Sequence, residues 1–377
     1  MLHQSIEAKN GSREKAVKVR ASNIELLRIL ATFLIVAFHC AFHSGFTYVS
    51  FSTNAFVVKV FYLFGELGVN LFLLISGYFQ INSQFKIKKV VLFFLELTFY
   101  VILSEIIVSV VTNTPLSPLS DIVLSILFPK YWFFTAYILL YILSPFINKL
   151  VSSCTTAERI RFLKVCWIIW SVIPTLFAFT SNGRTENQYF FNRFIWSVVM
   201  YCTGACISLN SIEFLKNKKT VRKLLIACII LMLFSIFLIG TLKDVFARVG
   251  ITEPAFFWQI NTLPMGLLSI CIFACFASWK VGTNKVINYL SSTSLGVYLL
   301  TDGALRNTIW RDILNVREHL GRSALYSLCY LLVVPLVVTC LAIVVDLARQ
   351  IIEKHTIVKF LNSNKKDRII SILGRKL

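Results

Sequence analysis

Apolar positions in this chain gather in long unbroken blocks, with neither strict alternation nor a polar face at helical spacing. Ile24–Phe42, Val90–Val111, Leu224–Leu242, Ile260–Trp279 and Leu325–Val345 each run for about 20 residues, the length at which a helix crosses ~30 Å of hydrocarbon. A β-barrel would give short alternating segments instead. The pattern predicts an all-α polytopic membrane protein with about ten transmembrane helices. They fall roughly at 23–43, 56–80, 90–111, 131–151, 163–180, 193–209, 223–242, 259–279, 288–303 and 324–346. The second block is interrupted by Glu66, Gly68 and Asn70. The ninth is short and opens on Ser291, Ser292, Thr293 and Ser294. Three regions follow: a polar N-terminal tail (1–22), a transmembrane domain (23–346) and a basic C-terminal tail (347–377).

Composition agrees. Hydrophobic residues make up 57% of the chain and charged residues 15%, against about 25% charged in an ordinary soluble domain. A soluble or disordered chain is excluded. The net charge of +20 does not point to nucleic acid, because the basic residues sit in short clusters between apolar blocks. With the N-terminus inside, most of the 38 Lys and Arg residues fall on the inner side, Lys86, Lys88 and Lys89 among them. The excess of positive charge on inner loops then puts both termini in the cytoplasm. The first 22 residues are polar and show no cleavage pattern, so the first span is expected to remain as an anchor. The ten Cys lie mostly inside the apolar blocks without a CxxC pair, which suits buried thiols and gives no sign of a zinc site.

Charged groups inside a span are costly and often functional. Arg28 and His39 are eleven positions apart in the first block. At 100° per residue that is three turns plus about 20°, so both lie on one helix face, about 16 Å apart along the axis. Singly, Arg28 reads as a snorkelling side chain and His39 as an interhelical hydrogen bond. Jointly, a cation at one end of a path and a base at the other suit an anionic donor and a proton transfer. Glu25 is placed to pair with Arg28. In the second block, Gly65, Gly68, Ser76 and Gly77 permit close approach of another helix or of a threaded ligand. Glu66 and Asn70 share a face there and are hard to explain as packing alone. Tyr131 and Trp132 read as an aromatic belt or as a stacking wall for a sugar. Glu96 and Glu105 point to opposite faces of the third block and read as helix-pairing groups.

Together these stretches resemble the acyltransferase-3 family of membrane acyltransferases, in particular its exopolysaccharide and cell-surface sugar O-acetyltransferase branch. The resemblance covers nearly the whole chain. Arg28 and His39 match the family's basic residue, ten intervening residues and histidine. Gly68–Phe79 looks like its glycine-rich second-helix motif. Tyr131–Asn148 looks like its Trp-Phe…Tyr…Tyr…Ser-Pro segment, and Ser294-Leu-Gly-Val-Tyr298-Leu-Leu like its late motif. One departure stands out: relatives often continue that motif with His and an Asn-Pro pair, where this chain has Thr301, Asp302, Gly303 and Ala304.

The resemblance implies acetyl-CoA or another acyl-CoA as donor, a cell-surface or lipid-linked glycan hydroxyl as acceptor, and a multi-pass protein of the bacterial cytoplasmic membrane. No metal or nucleic acid is implied, and a homo-oligomer is left open. It makes His39, with Glu66 and Asp302, the catalytic group. Arg28, Lys86, Lys88, Ser76 and Gly77 would hold the donor, with Lys89 a further cation for its phosphates. Asn70, Trp132, Tyr137 and Tyr298 would face the substrate. His39 would deprotonate the sugar hydroxyl or itself take the acyl group. A glycan or lipid-linked sugar transporter or flippase is the rival reading, weakened by the absence of duplicated halves. A polysaccharide polymerase would call for a larger outer loop.

Overall fold

The computed structural model describes residues 21–48, 50–180, 192–279 and 281–362. The tail residues 1–20 and 363–377, and the loop cations Arg184 and Lys280, lie outside the described residues. Every element among the described residues is helical. Seven helices are long and apolar enough to cross a membrane: α1 (Ser22–Phe42), α2 (Thr53–Gln80), α3 (Ile87–Thr112), α5 (Trp132–Ser153), the run Thr156–Thr180 that begins with α6 (Thr156–Trp167), α9 (Lys218–Thr241) and α16 (Ala324–Asn362). The chain is a multi-pass membrane protein. Expected spans at 193–209 and 259–279 fall on shorter apolar helices, α8 (Arg193–Ser208) and α11 (Leu263–Ala277).

Of three departures from the expected spans, the first two have local physical causes. The run from Thr156 to Thr180 is one rod with a seam. α6 starts on a capping box between Thr155 and Glu158. A π turn follows at Ile168–Val172, then α7 (Ile173–Phe177), where Pro174 brings no N–H to a regular ladder. The expected helix at 288–303 is broken into α12 (Lys285–Leu290), a 3₁₀ turn (Ser291–Thr293) and α13 (Ser294–Thr301). There Ser292, Thr293 and Ser294 each donate a side-chain hydroxyl to the carbonyl three residues back, and such bonds compete with the regular helical ladder. Finally, α16 continues past residue 346 as far as Asn362.

The connections carry the remaining short helices: α4 (Leu119–Leu127), α10 (Lys243–Ala247), α14 (Leu305–Asn307) and α15 (Val316–Leu320). α2 stands at the centre, packed against α1 on one side and α8 on another. Between apolar helices in lipid there is little hydrophobic gain, so association depends on close van der Waals approach. Gly77 and Gly204 provide it where α2 crosses α8: a Cβ on Gly77 would meet the Tyr201 carbonyl, and one on Gly204 the Leu74 carbonyl. At the periphery, α3 and α16 present apolar side chains outward, including Val110, Val333 and Val344, as lipid-facing helices do.

A buried ionic knot joins α3 to α16. Arg349 lies 3.1 Å from Glu96 and 2.7 Å from Asp346, and Tyr100 donates its hydroxyl to Asp346 at 2.8 Å. Gln350 reaches the second Asp346 oxygen. α13 threads past this knot, with Gly296 against Asp346 and Tyr100.

Candidate active site

Two cavities open toward opposite ends of α1. The first, of about 270 Å³, is lined by Arg28, Ser76, Lys89, Tyr137, Ser291 and Tyr298 among others. Arg28 contacts Glu25 at 2.5 Å, and that carboxylate also accepts the Ser291 hydroxyl, so the helix breaks at 291–293 tie directly to the first turn of α1. Lys89 stands over the Tyr141 ring at 4.7 Å and beside Phe93. This cavity therefore has a cationic mouth and an aromatic wall.

The second cavity, of about 410 Å³, is lined by His43, Glu105, Lys130, Tyr131, Gly303 and Arg306 among others. Gly303 has φ +62°, and a Cβ there would run into the Tyr131 ring, so glycine is required by both backbone and space. The turn it makes aims Asp302, at the end of α13, back toward α1. Arg306 Nε lies 3.4 Å from Asp302 Oδ1. Arg311 donates to the His43 carbonyl at 2.9 Å. Burial, with neighbouring His39 as the next influence, pushes the His43 imidazole down to about 3; this ring stands just beyond the last residue of α1 and is neutral at physiological pH.

Between the cavities lies a wall of rings. Tyr298 is 6.2 Å from His39, 6.1 Å from Tyr131 and 5.6 Å from Phe133, centroid to centroid. His39 is buried, one helical turn from His43, with the two rings 5.6 Å apart. Its Nδ1 lies 3.4 Å from Thr301 Oγ1. Thr301 spends its only hydroxyl proton on the carbonyls of Val297 and Tyr298, so toward His39 its oxygen accepts. With the hydrogen on Nδ1 that contact is complete and Nε2 keeps its lone pair. His39, His43 and Asp302 converge: one ligating atom from each lies within 4.8 Å of the others.

The structure brings together His39, Asp302 and Tyr298 at the wall, and Arg28, Ser76 and Tyr137 around the first cavity. The other candidates are placed elsewhere. Glu66 pairs with Arg193 at 2.8 Å, and Arg193 stacks on Trp132 at 4.5 Å, which makes a bridge between α2, α8 and α5. Asn70 is fully buried, donating to the Ile260 carbonyl and accepting from the Trp196 indole N–H. Gly77 faces α8. Lys86 caps α3, its N–H donating to the Tyr141 hydroxyl, while Lys88 is half-buried outside both linings. Sequence reasoning gave no site role to His43 or Arg306. The spacing of His39 and His43 was the available signal for the first.

A family model for an acyltransferase domain matches residues 22–345. No curated protein and no solved structure matches the chain.

Proposed function

The chain belongs to the acyltransferase-3 family, and from that membership we propose that it moves an acetyl or other acyl group from acyl-CoA to a hydroxyl of a cell-surface or exopolysaccharide sugar. Family membership makes it a membrane acyltransferase, which sets the transporter reading aside. The observation that carries the finer reading is the two-ended arrangement: a cation-lined cavity on one side of His39 and a polar one on the other.

In this reading the chain has ten spans, seven long helices joined by α8, α11 and the α12–α13 pair, with both termini in the cytoplasm. The positive-inside bias supports that orientation. The Arg28 cavity then opens inward, where acyl-CoA is made, and the His43 cavity opens outward, where lipid-linked or nascent surface glycans are presented. The setting is the bacterial cytoplasmic membrane.

Arg28 and Lys89 hold the CoA phosphates, Arg28 by directed hydrogen bonds and Lys89 as a point charge. The pantetheine arm runs past Ser76, Tyr137 and Ser291 toward Tyr298. The acceptor sugar enters beside Tyr131 and Arg306. His39 Nε2 takes the proton from the acceptor hydroxyl as its oxygen attacks the thioester carbonyl. The tetrahedral intermediate collapses with cleavage of the C–S bond, and the leaving CoA thiolate takes the proton from the His39 imidazolium, which restores the base. Thr301 holds His39 in the tautomer that leaves Nε2 basic. Asp302 favours the imidazolium as it forms.

The test is O-acetylation of the surface polysaccharide, read by NMR, in cells carrying His39→Ala or Arg28→Ala at membrane levels matched to the wild type. Loss of acetylation in both is expected. Normal acetylation in either variant overturns the assigned roles, and acyl-CoA turnover by purified protein without an acetylated glycan would overturn the acceptor.

A further inference from the structure

His39 and His43 are separated by one helical turn, a spacing that sets two imidazoles on one helix face for a single ion. A carboxylate arrives from a different element. Asp302, at the end of α13, completes a set of two nitrogens and one oxygen whose ligating atoms lie within 4.8 Å of one another. Two imidazoles and a carboxylate with a fourth position open is a donor set that zinc-class ions accept. Bonds of about 2.0–2.2 Å to a tetrahedral ion need donors about 3.4 Å apart, a contraction that small side-chain rotations supply.

The surroundings fit as well. Nδ1 of His39 is occupied by Thr301, which leaves Nε2 for an ion, and this pinning of one ring nitrogen by a hydrogen bond is how metal-ligating histidines are oriented. Arg306 approaches Asp302 Oδ1 at 3.4 Å, and the Gly303 N–H and the Tyr298 hydroxyl also face this carboxylate, which fixes it beside the two imidazoles. His43 lines the cavity of about 410 Å³, so an ion has an entry path and room for a water or another ligand at the open position. Arg306 and Arg311 oppose a cation there, and Asp302, with Glu105 across the cavity, opposes them in turn.

We propose that His39, His43 and Asp302 form a binding site for a divalent transition-metal ion of the zinc class, reached through the His43 cavity, and that the bound ion arrests acyl transfer. The arrest rests on the function proposed above: coordination takes the Nε2 lone pair that the acceptor proton needs. The site itself does not depend on that reading. No bond is made or broken beyond coordination, and a chelator reverses it.

Cobalt(II) is the probe, because its d–d absorption reports coordination directly. It is titrated into the protein purified without a histidine tag, reconstituted in nanodiscs, with the exposed thiols Cys275, Cys329 and Cys340 alkylated beforehand. One equivalent should give a visible band with no sulfur charge-transfer feature, and zinc should displace it. His43→Gln and Asp302→Asn should each weaken binding by at least about tenfold, the least that even outer-shell changes cost at such sites. Absence of the band in the wild type, or equal affinity in wild type and both variants, overturns the site. Zinc should also inhibit acyl transfer in the wild type, reversibly with EDTA and less strongly in His43→Gln. Cobalt binding by a protein that transfers no acyl group would retain the site and sink the proposed function. Transfer with no cobalt binding would do the reverse.

Discussion

Nδ1 of His39 lies 3.4 Å from Oγ1 of Thr301, 262 residues later in the chain, and the same Thr301 hydroxyl reaches the Val297 carbonyl at 2.9 Å. On the proposed function this contact holds the base in the tautomer that leaves Nε2 free. Thr301→Val keeps the shape and removes the acceptor. A hydrogen bond of about 1–1.5 kcal/mol is lost, so kcat should fall about tenfold with little change in KM for the donor. Thr301→Ser should restore it. Steady-state kinetics on purified enzyme read both.

Arg28 and Lys89 line one cavity, whereas Lys86 and Lys88 do not. Arg28→Ala should raise KM for acyl-CoA by about 10–100-fold, the worth of a hydrogen bond to a charged group at ~1.5–3 kcal/mol. Lys89→Ala should raise it less, and its effect should shrink with added salt. Lys86→Ala should leave KM within about twofold of the wild type.

Arg349 faces Glu96, Asp346 and Glu353 from a buried position. Arg349→Ala leaves the carboxylates buried without their cation, a loss of about 3–5 kcal/mol. Thermal unfolding in detergent should show a clear drop. Glu353→Gln, on the better exposed rim of the knot, should cost less than Arg349→Ala.

Gly77→Ala places a methyl group against the Tyr201 backbone. The helices must separate, at about 1–3 kcal/mol. Lower melting temperature and lower membrane abundance are the expected readouts, and Ser76→Ala one residue away should show neither.

The membrane class of the fold was legible because ~30 Å of hydrocarbon leaves a plain mark on sequence: blocks of about 20 apolar residues. The break at 291–293 was harder to foresee, since hydrophobicity carries through it and only the run of hydroxyl residues signals the 3₁₀ turn. At the site, helical periodicity placed Arg28 and His39 on one face. It could not find partners distant in sequence. Glu66 stood out because packing alone does not explain it, and the cation that pairs with it, Arg193, is 127 positions away. Asn70 likewise gave no hint that Trp196 would claim its oxygen. His43 was visible four residues after His39, but its relevance depends on Asp302, which only the folded chain brings near.

The wall formed by Tyr298, Tyr131, Phe133 and His39 has a further consequence. An enzyme that handled cargo from both aqueous phases through one continuous channel would short-circuit the ion gradients of its own membrane. Here Tyr298 lines one cavity and Tyr131 the other, and the two rings pack edge to face with His39 beside them, so on the proposed function the acyl unit can be handed across while the electrical insulation of the bilayer stays intact.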